Sequence, residues 1–271
     1  MPAVQLSQLK RQIDKLIWHY TRPQEFTREL HDLLGFYSNR GIYRPGKMVH
    51  PLRQINTYYT SPIILREIQK ELKRQVTENP GAALVLADAL WAESYTEFCF
   101  LSAFLLGLIP VSNPAPVLQR IALWVQTAEQ VFSLSDLFDL GTVRIRREAA
   151  PVYLEMISDW VSSSSIPLNK IGLEALLSLV KDDRFPDLPR IFSMASSTIK
   201  QVPHPLQGDL RQLIVALINR SPEETAYYLR QTVLVSTNPD TKRLFRKVLD
   251  ELPVHLRGKL RDLINNPEFS I

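Results

Sequence analysis

The chain has 271 residues, 45% of them hydrophobic and 22% charged, with a formal net charge of +4, which describes a folded globular protein and excludes disorder. Nine glycines are about half the usual frequency, which argues against glycine-rich nucleotide turns and against sheets joined by tight hairpins. A single cysteine, Cys99, leaves no internal disulfide to form, and nothing demands an oxidising compartment.

The stretch from Gln5 to Arg11 has no unbroken apolar run and does not read as a signal peptide. From Ser38 to Val49 the periodicity lapses, and this is the longest irregular loop. Within it, Gly41 to Met48 nearly spells a phosphate-binding loop. However, Met48 stands where a magnesium-binding hydroxyl is needed, Pro45 removes an N–H donor, and no strand precedes it.

Helix starts then follow at Ser61-Pro62, Asn79-Pro80, Asn113-Pro114, Ser221-Pro222 and Asn238-Pro239. In each, a capping side chain can accept an orphan N–H, and proline fills the first helical position where its missing N–H costs nothing. Ser94-x-x-Glu97 and Ser221-x-x-Glu224 read as capping boxes. Ile63, Ile64, Ile68 and Leu72 recur at helical spacing, with Arg66, Lys70, Lys73 and Arg74 on the other side. The apolar run Phe98 to Val111 is shorter than the roughly 20 residues of a membrane span and is broken near its end by Pro110, so it reads as a core helix. Cys99 lies inside it as a small buried residue. The serines 162–165 end as a cap for the next helix, and a weaker start lies near His204-Pro205. Leu213, Ile214, Leu217 and Ile218 repeat the helical pattern.

Asn79 to Asn113 spans 34 residues and Ser61 to Ser94 spans 33, room for two helices with short connections. That period belongs to helical solenoids, whose pairs bury their apolar faces by stacking. The expectation is an all-α protein of about 14 helices, a HEAT-like repeat solenoid forming one domain over residues 1–271. It is expected to be cytoplasmic, without membrane contact.

The five histidines are scattered, and none pairs at metal-ligand spacing, so no metal and no cofactor is expected. Charge is unevenly spread. Arg40 to Arg74 holds eight basic residues against Glu67 and Glu71. Lys242 to Arg261 holds seven against Asp250 and Glu251, and between Gln75 and Asp139 Arg120 stands alone against seven acids. Clustered Lys and Arg suit a phosphate backbone; solvated helix faces explain the same pattern.

Leu84-x-x-Ala87-Asp88-x-Leu90-Trp91-x-Glu93-Ser94, followed by Glu97 and Leu101-Ser102-Ala103, resembles the DNA alkylation repair family of HEAT-like glycosylases, with weak similarity from about Val49 to Val235. The resemblance implies a surface that holds double-stranded DNA carrying an alkylated base. Ser135-Asp136-Leu137-Phe138-Asp139 is similar to that family's acidic element, so Asp139 matches its catalytic aspartate while Ser135 replaces a tryptophan. Lys170 is a partial substitute for a supporting arginine, and Val215 stands in place of a second tryptophan. Nucleic-acid contacts are expected from Arg44, Lys47, Arg53, Arg144, Arg146, Arg147, Lys170, Lys242 and Arg243. A carboxylate would stabilise the oxocarbenium charge that develops as a cationic alkylpurine leaves. Asp136 and Asp139 also fit a plainer role, a first-turn acid pair on a helix dipole behind a Ser135 cap. A non-enzymatic scaffold holding a protein partner is the alternative function.

Overall fold

The computed structural model describes residues 6–38, 56–128 and 134–265. Among them the chain is helical: α1 (Leu6–Ile17), α2 (Pro23–Phe36), α3 (Pro62–Glu78), α4 (Pro80–Ala92), α5 (Thr96–Leu106), α6 (Ala115–Ala128), α7 (Ile145–Glu148), α8 (Ala150–Ser162), α9 (Ile166–Lys181), α10 (Leu188–Gln201), α11 (Gln207–Arg220), α12 (Pro222–Val235), α13 (Pro239–Arg246) and α14 (Val254–Asn265). A π-helical turn occupies Leu137–Gly141. The described residues form no strand, only a bridge between Asn56 and Tyr95.

The proline-marked starts govern the helix ends as their chemistry dictates. Asn79 Oδ1 accepts from Ala82 N at 3.1 Å, and Asn238 Oδ1 accepts from Asp240 N at 2.9 Å. At Ser61 and Ser221 the proline follows, but the serine side chain makes no capping bond. The Ser94–Glu97 capping box does not form. Ser94 adopts φ 57°, Tyr95 takes the cap position, and Glu97 turns inward to hold residues 57–60 instead.

The chain divides into two compact units, Met1–Pro151 and Val152–Ile271. In the first, α5 is buried on all sides, with Phe98, Leu101, Ala103 and Leu105 fully enclosed, as an all-round apolar helix requires. α4 packs most extensively against it, and Ser102 Oγ donates to the Ala87 carbonyl at 2.6 Å across that contact. α3 buries Ile64, Ile68, Leu72 and Val76 while Arg66, Lys70, Lys73 and Arg74 stay exposed; Ile63 is exposed as well. Arg120 of α6 grips Asp88 of α4 with Nε at 3.0 Å and Nη2 at 2.7 Å, which accounts for the lone base in an acidic stretch. Trp91 and Trp124 stack with ring centroids 4.6 Å apart between the same two helices.

In the second unit α9 packs on α11, and α12 on α14. Leu213, Ile214, Leu217 and Ile218 are all buried. Arg220, at the end of α11, donates to the carbonyls of Leu179, Val180 and Asp182 at 3.1, 2.8 and 2.7 Å. It thereby caps the carbonyls at the end of α9 and at Asp182 just beyond it. No helix among the described residues is long and apolar enough to cross a membrane.

Candidate functional site

The acidic element sits where α5 ends. At Gly107 an added Cβ would stand 2.0 Å from the Leu140 carbonyl oxygen, so the π-helical turn lies directly on the backbone there. Phe138 is fully buried and pins the turn, and Thr142 Oγ1 donates to the Phe138 carbonyl at 2.6 Å. A π turn widens the helix by one residue and re-aims the side chains it carries, a geometry frequent at functional positions.

Asp136 and Asp139, three residues apart, are both partly exposed. Burial, reinforced by the charge of Asp139, raises the Asp136 carboxyl above the usual aspartate range. Asp136 stands at the cap position of the turn, and its side chain makes no capping bond there. The turn thus carries two carboxyls three residues apart, one of them partly desolvated. Its signal in the sequence was the spacing alone; the desolvation comes from the tertiary fold. Cys99 lies within electrostatic reach of Asp136, and burial pushes its thiol up to about 12. It is not a nucleophile at neutral pH.

Of the basic residues expected at nucleic acid, Arg44, Lys47 and Arg53 lie outside the described residues, as does the stretch Gly41 to Met48. Arg146 is 8% exposed, and its Nη2 donates to the Asp139 carbonyl at 3.0 Å. That guanidinium braces the acidic turn from inside rather than reaching outward. Arg144 bonds Glu148 Oε1 through Nε at 2.8 Å and the Leu108 carbonyl through Nη1 at 2.9 Å. Glu148 is held below the usual range chiefly by the Val111 N–H and further by Arg144. Arg147 is exposed and in no ion pair among the described residues. In the second unit Lys170 is exposed, Lys242 is half-buried, and Arg243 pairs with Asp240 at 2.8 Å.

A second cluster escaped the sequence. His31 of α2 takes Glu93 on Nε2 at 2.9 Å and the Tyr58 hydroxyl on Nδ1 at 2.6 Å, and Tyr58 stacks on Tyr95 at 5.0 Å. Glu97, buried beside it, accepts from Thr57 Oγ1, Tyr58 N and Thr60 N at 2.9, 3.0 and 3.3 Å. These bonds strap residues 57–60 across the start of α5. The partners are 27 to 62 positions apart in the chain, so no local spacing announces them. Among the described residues no group of three or more His, Cys, Asp or Glu could hold a metal ion.

The stacked pair Trp91 and Trp124 is almost wholly enclosed, and Trp91 Nε1 donates to Thr127 Oγ1 at 3.2 Å. Those indoles therefore belong to the core and present little face to a ligand. No family model, no curated protein and no solved structure matches this chain.

Proposed function

We propose that this chain is a HEAT-like repeat protein that binds double-stranded DNA, as the resemblance to the alkylation repair family implies. The observation that carries the reading is the acidic turn. A partly exposed Asp139, its backbone braced by Arg146, is followed within eight residues by the exposed Arg147. A strand held by a phosphate on the Arg147 guanidinium would bring a sugar toward the field of the carboxylate. Base release is a separable claim: it is confined to cationic N3- or N7-alkylpurines, depends on Asp139, and lacks help from tryptophans.

The reading is tested by titrating labelled duplex at two ionic strengths. With about five phosphates neutralised, log K falls against log salt with a slope of about −4 to −5. Absence of binding at low salt, or indifference to salt, would reject it.

A protein-holding scaffold is the second reading, and Trp18 favours it. Its indole is 77% exposed beside a cleft lined by Asp14, Ile17, Tyr20 and Gln75. Exposed tryptophan is enriched where protein partners dock. Under that reading duplex binding is absent, and Trp18→Ala abolishes association with the partner.

A further inference from the structure

The second unit carries a cavity unrelated to the acidic turn. It has a volume of about 760 Å³, lies between α10 and α12, and is lined by Phe192, Ser193, Ser196, Ser197, Lys200 and Tyr228, with Gln201 at its edge. It is an open groove, not an enclosed pocket. Its wall has two halves of different chemistry.

One half is a donor stripe. Ser193, Ser196, Ser197 and Lys200 follow one another at helical spacing and so share a face of α10. Other helical hydroxyls in this unit are bonded to the preceding turn: Thr225 Oγ1 to the Ser221 carbonyl at 2.7 Å, Thr232 Oγ1 to the Tyr228 carbonyl at 2.9 Å. Ser193 and Ser197 make no such bond, and both are exposed. The Lys200 ammonium is exposed and is in no ion pair among the described residues. Among the described residues no carboxylate lines the groove. Donors and a cation without an acid select an anion, and phosphoryl oxygens accept from hydroxyls and ammonium alike.

The other half is aromatic. Phe192 and Tyr228 stand with ring centroids 4.8 Å apart at 31°. The Tyr228 hydroxyl is shut from solvent, with the Ser196 and Thr232 hydroxyls its polar neighbours. Burial raises its phenol, although Ser196 and Thr232 nearby pull the other way, so it stays neutral and the wall presents a ring.

The end of α10 would repel an anion if its last carbonyls were bare. They are not. Asn238 Nδ2 donates to the carbonyls of Lys200 and Gln201 at 3.2 and 2.7 Å, and Thr241 Oγ1 to that of Lys200 at 3.1 Å. Asp240, beside Asn238 and Thr241, is engaged by Arg243.

We propose that the groove between α10 and α12 binds a nucleotide moiety, its phosphoryl group on Ser193, Ser197 and Lys200 and its planar base against the half-buried Tyr228 ring, which the buried Phe192 backs. The moiety comes either from a free mononucleotide or from one position of a single strand, and both present the same chemistry. This site is independent of duplex binding by the first unit.

The test is calorimetric titration of the full chain with adenosine monophosphate, adenosine, inorganic phosphate and a short oligothymidylate. Adenosine monophosphate or the oligonucleotide should bind saturably, at least about tenfold tighter than adenosine or phosphate alone. The tighter of the two identifies the source. Lys200→Gln and Ser197→Ala are surface changes that leave the fold intact, and each should weaken that binding by about threefold to tenfold. Lys200→Gln and Ser197→Ala should leave duplex binding unchanged, so failure here is distinguishable from failure of the duplex reading. Absence of saturable binding by either nucleotide ligand overturns the proposal. So does binding equal to that of phosphate alone, or binding indifferent to both Lys200→Gln and Ser197→Ala.

Discussion

Gly107 faces the Leu140 carbonyl at a distance that leaves no room for a Cβ, which would stand 2.0 Å from that oxygen. The backbone of α5 and the turn carrying Asp139 are thus in direct contact, and backbone cannot swing aside as a side chain can. Gly107→Ala should therefore destabilise the protein by about 1–3 kcal/mol and displace the acidic turn. Gly208, in the first turn of α11, has nothing within 4 Å of its would-be Cβ. Gly208→Ala should stabilise by up to about 1 kcal/mol through the unfolded state. Urea unfolding of the two variants separates these outcomes, and equal effects would reject the close approach at Gly107.

Asp136 resists ionisation in the folded chain because it is desolvated beside Asp139. Its folded pKa lies above its unfolded value, so the folded state loses stability as pH rises from the ordinary aspartate range through the raised one. Asp136→Asn should then raise Tm at pH 7. The gain should shrink toward zero at acid pH, where the wild-type carboxyl is protonated as well. A gain that persists undiminished at low pH would point to packing instead of charge.

Glu97 is buried and holds one hydroxyl and two backbone N–H groups of the segment 57–60 on a single oxygen. Glu97→Ala strands those donors, and unsatisfied buried groups cost about 1–3 kcal/mol each before any rearrangement. The loss should exceed about 2 kcal/mol, with the amide hydrogens of Tyr58 and Thr60 exchanging far faster. Unchanged exchange at those two amides would show that the strap is held by something else.

Arg146 and Arg147 are neighbours with opposite fates, one buried on the Asp139 carbonyl and the other exposed. Arg147→Gln should leave stability within about 0.5 kcal/mol of wild type and lower the salt slope of duplex binding by about one. Arg146→Gln should destabilise the fold, since it removes a charge-assisted bond from an enclosed site. A loss of stability with Arg147→Gln, and none with Arg146→Gln, would contradict the burial pattern.

Asp139→Asn keeps the side chain's size and removes its charge. Release of methylated purine, compared at equal occupancy of DNA, should be abolished, while duplex binding is retained or slightly tighter. Equal release by both proteins would remove Asp139 from the chemistry. No release by either would leave a binding protein without catalysis.

The all-helical class and most helix starts were legible because the forces that set them are local. Asn79 and Asn238 cap helices three and two residues downstream, and proline presets the first turn without help from elsewhere. The stripe Ile64, Ile68, Leu72 and Val76 is buried because one helix face must be. Nothing in the local spacing could say that Glu97 serves residues 37 to 40 positions earlier instead of the cap beside it. Neither could it assign Arg146 to the inside and Arg147 to the outside, or raise the Asp136 carboxyl, or set His31 between Tyr58 and Glu93. Desolvation and long-range hydrogen bonding depend on which helices meet, and only the packed chain decides that.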